Sequence, residues 1–366
     1  MLIYYIPIYI TFISSFIFLL NDKKIEFVAI ILITCFVALI SGMRLYSDID
    51  FNGYIELYNH TPFLVDFNLS TVEHLYGELG YLFITSAIKS AGADFVVVTL
   101  LFSLLSIGLK SYFFFRFTDA ACIGLSFYLC ISFITVEFIT LRWSIASSLI
   151  ILGYYKLYKG HFHTAFLFLL SSVLFHYFSI AFIALTLLMK INNFNLIKLG
   201  FVSAFVVGLL LKVGGQSFNL ANDNSVYMVQ TLFRYLNTPD SNVGLFSYLK
   251  ALFIPLLYIL YTLVKKGGAP MDYKIKFLAK WSFVFTSFAF LFASIPIFFF
   301  RISVISDLFS LALLINIARL EKRIEIRYLL IFIISVFFSV WCFLDVNNNI
   351  SGQRIFEYET WWSLYI

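Results

Sequence analysis

Seven residues have types and settings suited to chemistry: Arg44, Asp50, Tyr54, Glu78, Arg142, His176 and Arg301. Arg44 follows one long apolar run, Arg142 lies between two others, and Arg301 opens a later one in the string FFFRIS. An arginine at the edge of hydrocarbon costs about 3 kcal/mol on insertion scales, so one retained there has a partner or a function, or else snorkels to the interface as an anchor. Three such arginines beside a histidine in an apolar stretch favour function over three separate anchors. Arg44, Asp50 and Tyr54 share the segment SGMRLYSDIDFNGYIELYNH, and Glu78 follows in GELGYLF. Asp50 reads either as a base or as the partner of Arg44, with a solvated acidic loop as the plainer alternative. Asp48 and Asp50 also fit, weakly, an Asp-x-Asp pair for Mg²⁺. No metal-ligand signature accompanies them, and neither a metal nor a cofactor is expected. His176 can take a proton near neutral pH or serve as a hydrogen-bonded core residue. His60, His74, His161 and His163 lie in polar loops and carry no functional assignment.

The elements that must position these residues follow from composition. With 61% hydrophobic residues, 12% charged residues and a mean hydropathy of +0.94, the chain is excluded from the water-soluble globular class. It reads as an all-α polytopic integral membrane protein with one membrane domain over 1–366. The net charge of +5 does not indicate nucleic acid, because the lysines and arginines sit at the ends of apolar segments. Cys35, Cys122, Cys130 and Cys342 lie inside apolar runs without ligand spacing, so neither a disulfide nor zinc is expected. Leu2 to Leu20 has no basic residue before it and no small-x-small site after it, and reads as a retained first span.

Further runs of spanning length are Ile25–Ser41, Ala93–Phe115, Ala120–Ile139, Leu141–Tyr158, Leu196–Val213, Leu245–Val264, Phe277–Ile297, Ile302–Ile317 and Tyr328–Leu344, about ten spanning helices in all. Two loops, 42–92 and 214–244, are expected on the outer face. The segments ARLEKRIEIR and KKGGAPMDYKIK are the strongest cytoplasmic signals. Counting from them and from the N-terminus places both ends of the uncharged stretch Thr164–Met189 on the cytoplasmic side. An even number of crossings then predicts a re-entrant hairpin broken at His176, each arm about 18 Å long and too short to span. The alternative is a single straight span, with a boundary moved elsewhere, for instance by inserting Leu79–Ala91. Both termini are expected outside, with Trp361 and Trp362 at the outer interface.

The chain resembles the EpsG/Wzy group of bacterial polysaccharide repeat-unit polymerases. The matching stretches are GMRLYSDIDFNGY, GELGYLF, LRWSIA, LFHYFS and FRISV, spread in order from Gly42 to about Val304. The departures are DID, where relatives usually carry a glycine before the aspartate, and LRWSIA, which lacks a glutamine often found after the arginine. The resemblance implies a GT-C-like glycosyltransferase in the bacterial cytoplasmic membrane, with its site facing the periplasm or cell exterior. Its substrates would be undecaprenyl-diphosphate-linked glycan donor and acceptor, its setting membrane lipid, and a chain-length regulator a further partner. Guanidinium groups hold diphosphate oxygens bidentately without a metal. Arg142 and Arg301 are thus catalytic candidates together with His176 or Asp50 as base, and Arg44, Tyr54 and Glu78 are substrate-binding candidates. The rival classes are a flippase or exporter for lipid-linked glycan, which needs charges reachable from both faces, and an O-antigen ligase.

Overall fold

The computed structural model describes all residues except 21, 192, 214–244, 265–271 and 362–366. The expected outer loop 214–244, the first part of the basic segment beginning at Lys265, and Trp362 therefore lie outside the described residues. Of the described residues, 83% are helical. It forms two compact units, one of Met1–Ala184 with Ala318–Ile366 and one of Leu185–Ile317.

In the first unit the helices run α1 (Ile6–Leu20), α2 (Lys23–Gly42), α3 (Phe51–His60), α4 (Leu69–Val72), α5 (Leu79–Ser90), α6 (Phe95–Phe117), α7 (Ala121–Ser132), α8 (Leu141–Tyr158), α9 (Phe162–Phe175) and α10 (Ile180–Leu185). The second unit holds α11 (Phe194–Val213), α12 (Leu245–Val264), α13 (Tyr273–Leu291) and most of α14 (Pro296–Arg319), after which α15 (Ile324–Ser351) returns to the first. Among the described residues, six helical segments are long and apolar enough to cross a membrane: Leu2–Leu20, Lys23–Gly42, Phe95–Phe117, Ala121–Ile139, Pro296–Arg319 and Ile324–Ser351. Shorter apolar helices accompany them, so the chain is a multi-pass, all-α membrane protein.

Three local features differ from simple apolar runs, each for a physical reason. The run ending at Ile139 is α7 followed by a π-helical segment, Phe133–Ile139. The last helix continues to Ser351 rather than stopping near Leu344. Along its polar end the Asn347 and Asn349 amides fold back onto the helix, donating to the carbonyls of Phe343 and Asp345 at 2.7 and 2.8 Å. The stretch Thr164–Met189 is broken where expected: α9 ends at Phe175, and His176 is extended at φ −160° and ψ 113°.

Within the first unit, α8 packs on α9 and α6, α2 on α6, and α1 on α7 and α15. Side-chain ties define the two ends of this bundle. At one end Lys23 pairs with Asp119, Arg319 donates to the Asp119 carbonyl, and Phe117 packs on Tyr155 and Tyr158. At the other end the segment 42–92 is folded rather than loose. Strand β1 (Arg44–Leu45) pairs antiparallel with β2 (Glu359–Thr360), and the Tyr4 hydroxyl donates to the Phe356 carbonyl at 2.9 Å. Lys89 at the end of α5 donates to the carbonyls of Tyr58, Asn59 and Thr61, which fastens α5 to the end of α3. Beneath them Phe51, Tyr54, Leu57, Tyr81, Leu82, Phe95, Phe102 and Leu141 form one buried cluster. The α9 helix climbs toward this end, with Leu169 against Gly153, until His176 stands beside Trp143. From there the chain turns back along α8, because the Phe182 carbonyl accepts from the Tyr154 hydroxyl at 2.7 Å, three turns further along α8 than Trp143.

Candidate functional site

The ends of α3, α5, α8 and α9 meet at the 42–92 end of the first unit, and Arg142 lies where they meet. It stands in the first turn of α8, and its Nη1 donates to Glu78 Oε2 at 2.6 Å. Glu78 is the N-cap residue of α5 but makes no side-chain cap bond, so its carboxylate is available to the guanidinium. The aromatic faces of Tyr76 and Tyr54 flank that guanidinium, with its carbon 5.1 and 5.8 Å from the ring centroids. Cation–π packing of this kind holds an arginine without consuming its N–H donors. The side chain keeps 18% of its surface open, against 8% for Glu78, so Arg142 is ordered yet reachable.

Two close approaches bring these helix ends together. A Cβ built on Gly80 would meet the Leu174 carbonyl oxygen and Cβ at 2.9 Å, so only glycine lets the start of α5 sit against the end of α9. Phe102 bridges the same junction, edge-on to both Tyr81 and Phe175. Glu78 is thereby held near the His176 turn, and Tyr177 interacts electrostatically with both Glu78 and Arg142.

Asp50 sits before α3, half-buried, with no side-chain cap bond of its own. Burial, and then the neighbouring Asp48 carboxylate, push its carboxyl above the ordinary carboxylate range. Arg142, Arg44 and Arg354 pull it back in part. Tyr54, one turn further, has its phenol raised by burial, with Arg142 opposing, and is neutral at physiological pH. A half-buried carboxylate of raised basicity within the field of a fixed guanidinium has the chemistry to accept a proton near a group able to hold an anion.

The remaining expected residues take different places. Arg44 is sealed, with 0% side-chain exposure. Its Nε donates to Asp48 Oδ2 at 2.6 Å, its Nη1 to the Ser41 carbonyl at 2.5 Å, and its guanidinium packs on Phe138. The carboxylate paired with Arg44 is thus Asp48, which removes the second of the two roles read for Asp50, because the turn through Tyr46 points Asp48 back at β1. The second Asp48 oxygen accepts from the Asp50 backbone N–H, so both oxygens that could have joined a metal pair have internal partners. His176 accepts a hydrogen bond from the Phe178 backbone N–H at its Nδ1, 3.3 Å, and caps the turn that follows α9. Its ring stands edge-on to Trp143 at 5.2 Å. Arg301 is half-buried on α14 in the second unit.

Sequence reading missed Tyr76 and Trp143, although each adjoins a residue it singled out: Tyr76 stands two before Glu78, and Trp143 directly follows Arg142. Trp143 is buried, and its indole N–H has no acceptor among the described residues. Sequence reading also passed over Lys110 and Glu137, which form a fully buried ion pair at 2.6 Å. The signal was present, since an ionisable residue within an apolar run is costly enough to demand a reason.

No curated protein and no solved structure matches the chain. The EpsG family, whose members are polysaccharide polymerase-like membrane proteins, matches residues 27–360. Such a match covers most of the chain and every element that builds the site, and the chain therefore belongs to the EpsG family.

Proposed function

We propose that this protein is a polysaccharide polymerase, a glycosyltransferase that joins undecaprenyl-diphosphate-linked repeat units at the outer face of the bacterial cytoplasmic membrane. The observation that carries this reading is Arg142: a partly open guanidinium, fixed by Glu78, Tyr54 and Tyr76, within the field of an aspartate of raised basicity. In the transfer, an acceptor sugar hydroxyl attacks the anomeric carbon of the donor glycan. The bond from that carbon to the diphosphate oxygen breaks, the lipid diphosphate leaves with the electron pair, and the hydroxyl proton passes to a base. Charge develops on the leaving diphosphate, and removing one preorganised donor to such charge costs about 3 kcal/mol.

Arg142 has the role of holding the diphosphate, and Arg301 is a second candidate for it. Asp50 is favoured as the base. His176 is less suited, because an Nδ1 that accepts from Phe178 N–H leaves the neutral ring protonated at Nε2, with no lone pair there to receive a proton. Arg44 has the role of holding Asp48 in place and fixing the first segment to the bundle through the Ser41 carbonyl and Phe138. The orientation follows from charge. The bundle end with Lys23, Lys24, Arg116, Lys156, Lys159, Arg319, Arg323 and Arg327 is the more basic and faces the cytoplasm, which puts the Arg142 end outside.

The test uses purified protein with purified lipid-linked repeat units, scoring longer glycan chains. Arg142→Lys keeps the charge but not the planar fork and should lose roughly a hundredfold in elongation. Full activity in Arg142→Lys at normal protein levels would remove the diphosphate role. In cells, deletion should leave a single repeat unit on the lipid core; absence of any repeat unit would point to flippase or ligase activity instead.

A further inference from the structure

We infer that the buried Lys110–Glu137 pair is a positioning device for Arg142, acting through the first turn of α8; this rests on the function proposed above. Both side chains are 0% exposed, and their bonds are saturated. Glu137 Oε1 accepts from Lys110 Nζ and the Tyr128 hydroxyl, both at 2.6 Å, and Oε2 accepts from Ser106 and Ser144 hydroxyls at 2.7 and 3.0 Å. Lys110 Nζ has two further acceptors, Ser106 Oγ at 2.7 Å and the Ser144 carbonyl at 2.9 Å.

The network converges on Ser144. Its hydroxyl and its carbonyl are both engaged by the ion pair, and Ser144 stands two residues from Arg142 in the same turn. That turn lacks the usual anchor. Thr140, the N-cap residue of α8, makes no side-chain cap bond, and its hydroxyl points backward to the carbonyls of Thr135 and Val136. A cap normally fixes the start of a helix, and here the pair takes over that task. The π-helical segment Phe133–Ile139 supplies the geometry. Within it Phe138 packs on the Arg44 guanidinium while Glu137 faces Lys110. Short π insertions of this kind recur at functional sites. A saturated ion pair is weak evidence for stability by itself, since apolar residues of similar volume often replace one without loss. What distinguishes this pair is its target: two of its bonds end on the turn that carries Arg142.

The experiment is a mutant cycle read by elongation of purified lipid-linked repeat units at saturating substrate, with thermal stability in detergent measured alongside. The double variant Lys110→Met/Glu137→Leu should keep near-wild-type stability and lose tenfold or more in kcat. In an Arg142→Ala background the same pair of changes should alter kcat by less than about twofold, because a positioning effect disappears once Arg142 is gone. Should the double variant fail to fold, Ser144→Ala, which cuts only the link to α8, should show the same dependence on Arg142 with a several-fold loss. Wild-type kcat in either variant, or equal losses with and without Arg142, would overturn the inference while leaving the proposed function standing. Failure of the wild-type protein to elongate would instead overturn the function and the inference with it.

Discussion

At the scale of single residues, Asp50 offers the sharpest test because its two roles predict opposite signs. Its folded-state pKa is raised by burial and by Asp48, so at neutral pH the ionised form costs the folded protein free energy. Asp50→Asn should therefore leave thermal stability at pH 7 unchanged or slightly increased. That advantage should vanish below pH of about 4, where the wild-type carboxyl is protonated in both folded and unfolded states. Elongation should nevertheless fall by roughly a hundredfold or more, and the wild-type rate should decline on acidification through a pKa above that of an ordinary aspartate. Near-normal turnover by Asp50→Asn would exclude it as the base. His176 predicts the reverse pattern. An amide oxygen can accept the Phe178 N–H as the imidazole does, so His176→Asn should retain substantial activity and the wild-type pH profile, whereas a flattened profile in that variant would restore the histidine as the proton acceptor. The residue types were legible in the sequence; their pairings were not. Arg142 and Glu78 are far apart in the chain, and no spacing rule links them. Asp48 and Asp50 stand only two residues apart, and the turn at Tyr46, with φ 48°, decides which of them faces Arg44.

At the scale of elements, the site depends on how closely helix ends approach. Gly80→Ala places a methyl group 2.9 Å from the Leu174 carbonyl oxygen, a backbone atom that cannot move unless α9 moves. The start of α5 should retreat, at a cost of about 1–3 kcal/mol, and carry Glu78 away from Arg142. A lowered unfolding temperature together with reduced elongation is the expected result; wild-type values for both would show that α5 and α9 tolerate separation. Apolar periodicity located most helices, because hydrophobic length is a property of the sequence alone. It did not locate the change from α7 to the π-helical segment, since both are apolar and differ only in hydrogen-bond register. It also averaged over Lys110 and Glu137, whose charges are offset by partners on other helices rather than by neighbours in sequence.

At the scale of the whole molecule, the expectation concerns sidedness. Val65 is 96% exposed in the segment that bears Asp50, and a single cysteine there should react with an impermeant thiol reagent added to intact cells. Under the proposed orientation, with a hairpin between them, cysteines at Lys159 and Asn193 should be shielded from the same reagent. Labelling at Lys159 would reverse the orientation, and labelling at Asn193 alone would replace the hairpin with a full crossing.

The pairing of β1 with β2 also sets an order of manufacture. Arg44 and Leu45 emerge early in synthesis, but their strand partners Glu359 and Thr360 are made only after α15. The segment bearing Asp50 therefore waits, without its final fastening, while every later helix is threaded into the bilayer. A ribosome that stalls anywhere before Glu359 leaves Arg44 and Leu45 without their strand partners, so a protein truncated there should insert its helices yet lose the proposed elongation.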